Sequence, residues 1–217
     1  MKKLFLLLLP GMFFLAGEAE AQFEKGTTHW GATISADGTG THSKGNSTDY
    51  KTGNHNLSPS IQMGWLLKDN RMFGLRLTSM VALRSSKFED SGPLNHFSDN
   101  YYSLSLSPFI RQYKTLNAKW ALFLQSGVEG AYNWSVSKVD DVSEKENGYG
   151  AGLYVFPGIT YRISPRFALE TDLQFLSLNV GYSNFAKSEG FNFYAGITSG
   201  IGSYFGVRAA WYLQKSN

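Results

Sequence analysis

The chain has 217 residues, of which 42% are hydrophobic, 15% aromatic and only 17% charged, and its formal net charge is +3. Such hydrophobic and aromatic fractions exclude a disordered chain, and the absence of cysteine excludes disulfides and Cys-ligated metal sites. The charged fraction is lower than the roughly 25–35% expected of a soluble surface. The small net charge, without a basic run, does not indicate nucleic-acid binding.

The N-terminus has the organisation of a secretory signal peptide. Two lysines precede an apolar run over residues 4–16, and the Ala-Glu-Ala stretch at 19–21 offers small residues where a signal peptidase cleaves. The apolar run is shorter than the roughly 20 residues that a membrane-spanning helix needs. We therefore predict a signal peptide over 1–21, cleavage before Gln22, and a single mature domain over 22–217.

The remaining chain alternates hydrophobic with small or polar residues at a period of two, which is typical of strands with two different faces. The alternation predicts eight strands, at 27–36, 56–68, 71–85, 99–113, 118–137, 148–163, 166–182 and 191–213. Tight turns at 69–70, 115–117 and 164–165 alternate with long polar segments at 37–55, 86–98, 138–147 and 183–190. Apolar positions change parity near Phe175 and Leu176, which predicts a β-bulge in the seventh strand.

The composition of the second face indicates which side of such a barrel meets lipid. This face is mainly Gly, Ala, Ser and Thr, which suits a crowded interior, whereas the outside of a soluble barrel carries many Lys and Glu. Aromatic residues occur near the strand ends of the apolar face, as membrane interfaces require: Trp30, Trp65, Trp120, Tyr132, Trp134 and Trp211. We predict an all-β, eight-stranded antiparallel up-and-down transmembrane barrel with four long outer loops and three short periplasmic turns.

The final strand carries the most specific sequence feature. Residues 203–213 read Ser-Tyr-Phe-Gly-Val-Arg-Ala-Ala-Trp-Tyr-Leu, a glycine-containing strand with an aromatic end. With this strand and the barrel pattern, the mature chain resembles the small bacterial outer-membrane β-barrel proteins, the porin-like OmpA/OmpX type. The resemblance implies a location in the bacterial outer membrane but no particular activity. It also implies a C-terminal assembly signal, formed by Tyr204, Gly206, Trp211, Tyr212 and Leu213.

Family membership would define the partners as well. These are outer-membrane lipid and lipopolysaccharide, periplasmic chaperones and the barrel-assembly machinery. We further expect an unidentified extracellular ligand at the long loops, because loops carry variable contact surfaces. We expect no nucleic acid, no cofactor and no metal ion as partner.

Charged residues on the inner face predict the contents of the lumen. At membrane depth they must face the interior and pair, because an Arg facing lipid costs about 2–4 kcal/mol. The alternation places nine charged residues inside: Arg76, Arg84, Arg111, Lys119, Glu129, Arg162, Glu170, Asp172 and Arg208. Since side chains fill the lumen of an eight-stranded barrel, we interpret this set as a structural salt-bridge network. The excess of basic groups leaves a narrow, anion-preferring pore as an alternative.

One short motif leaves an enzymatic alternative open. His96 and Ser98 lie two residues apart and share a face where the fourth strand begins. They resemble the His-x-Ser element of outer-membrane lipid A deacylases, in which His activates a lipid-facing Ser. Asp99 points the other way, and we find no clear acidic residue to orient His96. We therefore expect a structural or surface-interaction role rather than catalysis.

Overall fold

The computed structural model describes residues 23–44, 49–89, 95–140, 142–173, 176–197 and 207–214. These residues form ten β-strand segments: β1 (Thr28–Lys44), β2 (Asp49–Lys68), β3 (Arg71–Glu89), β4 (Asn95–Thr115), β5 (Trp120–Val139), β6 (Val142–Ser164), β7 (Phe167–Asp172), β8 (Leu176–Phe185), β9 (Ser188–Ile197) and β10 (Val207–Leu213). Within the described ranges, no helix is long and apolar enough to cross a membrane. The predicted signal peptide lies outside them.

The ten segments close into a ring of eight antiparallel strands. Strands β1 to β6 pair with their neighbours in sequence, and β7 and β8 both pair with β6, so they are two parts of the seventh strand. The eighth strand consists of β9, which pairs with β8, and β10, which pairs with β7. Pairing of β10 with β1, where Trp211 faces Trp30, completes the ring. The predicted eight-stranded antiparallel barrel is confirmed.

The seventh strand contains the predicted irregularity. Gly158 of β6 pairs with Asp172, and Val155 pairs with Leu178, so β6 advances three residues while the seventh strand advances six. The seventh strand thus contains three residues that have no partner in β6. Because three is an odd number, odd-numbered residues face outward before this break and even-numbered residues face outward after it. Leu169 before the break and Leu178 after it are therefore both exposed on the outside. Residue 175, at the predicted bulge itself, lies outside the described residues.

The strands are longer than predicted, and this changes the expected loops. β1 continues to Lys44 and β2 begins at Asp49, so most of the segment expected as the first long loop is a hairpin. The other three expected loops are likewise largely strand, and Ala186 and Lys187 alone connect β8 to β9, both with positive φ as a type I′ turn requires. Alternation missed these parts because both of their faces are polar, which leaves no hydrophobic contrast.

The opposite end of the barrel carries the three predicted short turns, and we call it the short-turn end. The turns lie at 69–70, 116–119 and 165–166. In the second turn, the side-chain Oδ1 of Asn117 accepts hydrogen bonds from the backbone N–H groups of Lys119 (2.9 Å) and Trp120 (3.0 Å). Such side-chain bonds to the backbone are the reason that Asn is common in tight turns.

The outer wall is a band of exposed apolar side chains between two sets of paired aromatic rings. Near the short-turn end, Trp120 contacts Tyr161, with ring centroids 4.6 Å apart. Twelve residues further along β5, Tyr132 and Trp134 form the second set, where Trp134 stacks on Tyr102 at 5.4 Å. At about 3.3 Å per residue and a tilt near 45°, twelve residues span about 28 Å. This height is close to the roughly 25 Å apolar band of membrane barrels.

Inside the wall, small residues make room for large ones. A Cβ at Gly158 of β6 would collide with the ring of Phe123, which fills the lumen from β5. Phe109, Phe123 and Tyr154 all belong to the buried core. The core therefore lies within the barrel, and the side chains that cover its outside are exposed.

Candidate functional site

Glu170 lies at the centre of the most deeply buried polar group in the described lumen. Its side chain is fully buried, and Oε2 accepts hydrogen bonds from Arg111 Nη1 (2.7 Å) and Arg208 Nη1 (3.0 Å). The hydroxyl of Tyr212 donates to Oε1, and His29 Nε2 lies 3.3 Å from the same oxygen. A buried carboxylate is tolerated only when it is paired and hydrogen-bonded, and Glu170 meets both conditions.

Asp172 extends this arrangement one inward position along the seventh strand. Its Oδ2 accepts a hydrogen bond from Arg208 Nη2 at 2.6 Å, so Arg208 links the two carboxylates. Arg76 Nη1 approaches the same oxygen at 3.9 Å. The guanidinium of Arg76 lies over the ring of Tyr154, 5.0 Å from its centroid. We call Arg76, Arg111, Glu170, Asp172 and Arg208 the lumen charge cluster.

Arg111 is held on every side by the wall of the barrel. Its Nε and Nη2 donate to Gln125 Oε1 at 2.9 and 2.6 Å, and Nη1 also donates to the Tyr113 hydroxyl at 3.1 Å. The guanidinium lies 4.2 Å from the centroid of the Phe123 ring. A guanidinium with this many charge-assisted bonds and an aromatic face beneath it is fixed in one position.

The predicted lumen set therefore divides into residues that the structure brings together and residues that it does not. The five members of the cluster meet in the lumen. Glu129 faces inward nearer the hairpins and accepts a hydrogen bond from Ser107 Oγ at 3.0 Å. Arg162 is half-buried at the short-turn end.

Arg84 and Lys119 are exposed and lie outside the cluster. Arg84 has the inward parity, but it lies on the part of β3 that extends beyond the apolar band. Lys119 belongs to the turn 116–119, because β5 begins two residues later than predicted. The odd or even position of a residue in a strand indicates whether its side chain faces inward or outward. It does not indicate how far along the barrel axis the residue lies.

Three neutral residues of the site were missed because only charged positions were considered. His29, Tyr113 and Gln125 all occupy inward positions and are buried. The signal that could have identified them is the same alternation, applied to polar residues without charge. Of the predicted assembly signal, Tyr212 points inward to Glu170, whereas Trp211 and Leu213 are exposed on the outside. Residues 204 and 206 lie outside the described ranges.

An aromatic side chain from the segment before β1 fills the lumen at the short-turn end. Phe23 is buried and stacks on Tyr113 with ring centroids 4.0 Å apart, and it contacts Tyr212 at 5.1 Å. The guanidinium of Arg162 covers it at 4.6 Å. The backbone oxygen of Phe23 accepts a hydrogen bond from Asn70 N at 2.8 Å. Phe23 thus obstructs the lumen below the charge cluster.

Beyond the apolar band, the strands continue as a polar wall that we call the hairpin extension (residues 37–44, 49–56, 84–89, 95–101, 135–139 and 142–148). Four basic residues lie side by side across its first four strands. His42 pairs with Lys51, Lys51 with Lys87, and Lys87 with His96. Directly paired residues share a face, and parity makes this the outer face. We call these four residues the basic row.

The inner face of the hairpin extension carries several acidic residues, together with Arg84, which pairs with Asp99 across the sheet. Asp37 accepts a hydrogen bond from Asn56 Nδ2 at 2.9 Å, and Asp99 accepts one from Ser137 Oγ at 2.9 Å. Glu144 pairs with Ser137 across the sheet and therefore shares this face. The hairpin extension thus presents mainly acidic groups to the mouth of the barrel and the basic row outward.

His96 and Ser98, the enzymatic alternative, share the outer face of β4. Across the sheet, His96 faces Lys87 and Ser98 faces Ser85. Asp99 is on the inner face with Ser137, as its position in the alternation predicts. Among the described residues no carboxylate bonds the His96 ring, and no group of three or more His, Asp or Glu could hold a metal ion. The geometry does not complete a catalytic triad.

No family model matches the chain, and no curated protein matches it in sequence. Among solved structures, the chain is similar to Neisserial surface protein A, with 14% identity and a TM-score of 0.43 over 88% of this chain and 100% of that one. It is also similar to Ail, the attachment invasion locus protein of Yersinia pestis, with 14% identity and a TM-score of 0.35 over 87% and 98%.

A third similar structure is the outer membrane protein OprG from Pseudomonas aeruginosa, with 14% identity and a TM-score of 0.35 over 89% of this chain and 96% of that one. At these identities and TM-scores, activity, ligands and partners have to be argued from this chain's own residues.

Proposed function

We propose that the protein is an integral barrel of the bacterial outer membrane with a filled lumen, and that its role is structural and surface-interactive. The observation that carries the proposal is the exposed apolar band. Leu153 of β6 is 57% exposed and Val128 of β5 is 46% exposed, and between the aromatic sets the outward positions of these two strands carry no charge. Exposure of such a continuous apolar surface to water is unfavourable in free energy, whereas contact with lipid is not.

The contents of the lumen favour a closed barrel over a pore. Conduction needs a continuous path, and two obstructions follow one another along the axis. The lumen charge cluster fills one level with buried, bonded side chains, and Phe23 fills the next. The cluster also explains how the barrel tolerates charge at membrane depth, since each carboxylate has a guanidinium partner.

The basic row supports the surface-interactive part of the proposal, with lipopolysaccharide as the partner. Lys51 and Lys87 pair directly across the sheet. Two like charges side by side weaken a sheet, so their presence favours an anionic partner outside it. Lys87 lies four residues beyond Leu83, the last apolar outward residue of β3, which is about 10 Å above the apolar band at the usual rise and tilt. Phosphate groups of a lipopolysaccharide leaflet occur at that level, and Lys binds phosphate as a point charge.

Site-directed spin labelling tests the membrane location, because the chain has no native cysteine. Gly130→Cys and Ala131→Cys introduce labels at neighbouring positions with opposite faces, and a Cβ at Gly130 meets no atom within 4 Å. In lipid vesicles, the label at 130 should be reached by oxygen, and the label at 131 by a water-soluble nickel chelate. Equal accessibility of the two labels would contradict the proposal.

The partner is tested by the thermal stability of the detergent-solubilised protein with added purified lipopolysaccharide. The wild-type Tm should rise, and the rise should be lost in the double variant Lys51→Glu, Lys87→Glu. The matched control is Lys25→Glu, Lys119→Glu, which reverses two exposed lysines at the short-turn end. A rise that persists in the first variant, or that disappears equally in the control, would refute binding at the basic row.

A further inference from the structure

A cavity of about 150 Å³ lies in the lumen on the hairpin side of the lumen charge cluster. Its polar lining is supplied by Glu129 of β5, Tyr154 of β6, Asn179 of β8 and Asn192 of β9. Tyr154 marks its base, because the guanidinium of Arg76 in the cluster lies over that ring. The volume is about five times the roughly 30 Å³ that one water molecule occupies in the liquid. The cavity therefore has room for a small organic molecule.

The cavity exists because one inward row of the wall has glycines in its middle. Glu129 pairs with Gly152, Gly152 with Gly181, and Gly181 with Asn192, so the row crosses β5, β6, β8 and β9. A Cβ on Gly152 would meet only backbone atoms, of which the nearest is Val180 O at 3.2 Å. The middle of the row is therefore open, with a carboxylate at one end and a carboxamide at the other.

The polar groups that border the cavity are available to a ligand. Glu129 accepts a hydrogen bond from Ser107 Oγ and forms no ion pair in the part of the chain that the structure describes. Within the same ranges, the carboxamides of Asn179 and Asn192 form no hydrogen bond, and both residues are exposed to solvent. Asn192 Oδ1 would lie 2.7 Å from a Cβ on Gly181, so this carboxamide leans over the glycines. Three oxygen acceptors thus surround one space.

The charge of the surrounding inner face favours a cationic ligand. On the hairpin side of the lumen charge cluster, the inward positions of the described strands carry five carboxylates and one guanidinium. The carboxylates belong to Asp37, Asp99, Glu129, Glu144 and Glu146, and the guanidinium to Arg84. Glu144 and Glu146 precede the cavity glycines along the inner face of β6. A concave surface lined by one sign of charge raises the local concentration of ions of the opposite sign.

The number and type of acceptors favour a primary ammonium group over other cations. An –NH₃⁺ group has three N–H donors, which matches the oxygens of Glu129, Asn179 and Asn192. A calcium ion takes about six to eight oxygen ligands, and this cavity is lined by a single carboxylate. A quaternary ammonium group requires a cage of aromatic faces, and the ring of Tyr154 is already covered by Arg76.

We propose that this cavity binds a small primary amine in its protonated form, with the ammonium group between Glu129, Asn179 and Asn192. The site goes beyond the structural and surface-interactive role of the barrel, because it makes the open end of the lumen a receptor for a cationic small molecule. The lumen charge cluster and Phe23 obstruct the barrel on the far side of the site. The ligand is therefore held at the mouth and does not pass through.

A nuclear magnetic resonance titration of the full ¹⁵N-labelled protein in detergent tests the site, with ethanolamine as the probe. The backbone amide signals of Gly152 and Gly181 should shift and saturate. Ethylene glycol replaces the ammonium group by a hydroxyl, and choline replaces it by a quaternary ammonium group, so neither should shift these signals. Glu129→Gln should weaken ethanolamine binding about tenfold or more, because a hydrogen bond to a charged group is lost.

The matched control is Glu189→Gln, the same change at an outward position of β9, which should leave the Kd for ethanolamine unchanged. If Glu129→Gln does not fold, Ala131→Leu replaces it, because a leucine there fills the cavity from β5 and should abolish the shifts. The proposal is overturned if the glycine signals do not respond, or if ethylene glycol or choline shifts them as ethanolamine does. Stronger binding of calcium chloride at the same glycines, or equal Kd values for the two glutamine variants, overturns it as well. None of these outcomes affects the membrane location, which the spin labels test separately.

Discussion

The barrel around the apolar band and the hairpin extension are both built from strands β1 to β6 but distribute polarity in opposite ways. In the barrel, charges such as Arg111 and Glu170 are inside and bonded, and the outer wall is apolar. In the hairpin extension, both faces are polar, with Asp99 inside and Lys87 outside. From β1 to β6, strand pairing continues from one region into the other, so backbone hydrogen bonds hold both regions together.

The largest difference in unfolding free energy between the two regions is expected when one carboxylate is removed from each. Glu170→Gln leaves Arg111 and Arg208 in the lumen without their shared charge, and should cost about 3–5 kcal/mol of unfolding free energy. Glu144→Gln, on the inner face of the hairpin extension, should change it by less than about 0.5 kcal/mol. Urea unfolding of both variants in the same detergent measures the difference. Equal losses would show that the two regions bury charge alike.

Placing an arginine on the outer face of β6 in each region tests the solvent directly. Leu153→Arg is in the apolar band and should cost about 2–4 kcal/mol in lipid vesicles. Ser143→Arg is on the same face, ten residues away in the hairpin extension, and should have almost no effect. Unfolding in vesicles rather than in detergent keeps the thickness of the apolar layer defined. A small cost at Leu153 would mean that water reaches the band.

Removal of a single hydroxyl tests how much the hydrogen bond from Tyr212 to Glu170 stabilises the lumen. Tyr212→Phe removes the donor to Glu170 and the contact of 3.1 Å with the Tyr113 hydroxyl. A hydrogen bond to a charged group contributes about 1.5–3 kcal/mol, and we expect a loss in that range. Tyr149→Phe, an outward aromatic with an exposed ring, is the control and should be nearly neutral. If both changes cost the same, Glu170 does not depend on its tyrosine.

The smallest expected change in unfolding free energy is in the basic row, and it is a gain rather than a loss. Lys51→Glu puts a carboxylate opposite Lys87, which turns the unfavourable Lys51–Lys87 pair into a favourable one. We expect a gain of about 0.2–1 kcal/mol at low salt, because cross-strand charge pairs have that magnitude. The gain should shrink at 0.5 M salt as screening increases. Unfolding curves at two salt concentrations measure the gain. A loss of stability would contradict the conclusion that Lys51 and Lys87 repel each other across the sheet.

The hydrophobic alternation was sufficient to predict the barrel, its strand number and the parity change in the seventh strand. It was insufficient in the hairpin extension, since residues such as Thr41 and Asn54 provide no contrast between faces. For the lumen, parity assigned Arg111, Glu170 and Arg208 to the inside, where their contacts lie. It could not specify which charges meet, because partners such as Arg111 and Glu170 are 59 residues apart in sequence and are brought together by register around the ring.

The contact between Phe23 and Tyr212 has a consequence for the order of folding. Hairpins between neighbouring strands form from local sequence, but this contact joins the segment before the first strand to the last strand. Long-range contacts of this kind form late, because the loop that they close must first be ordered. The same last strand supplies Trp211 opposite Trp30 and Arg208 beside Glu170. Ring closure and the contact between Phe23 and Tyr212 therefore both wait for β10, so an incomplete barrel remains open between β1 and β7 until its last strand is added.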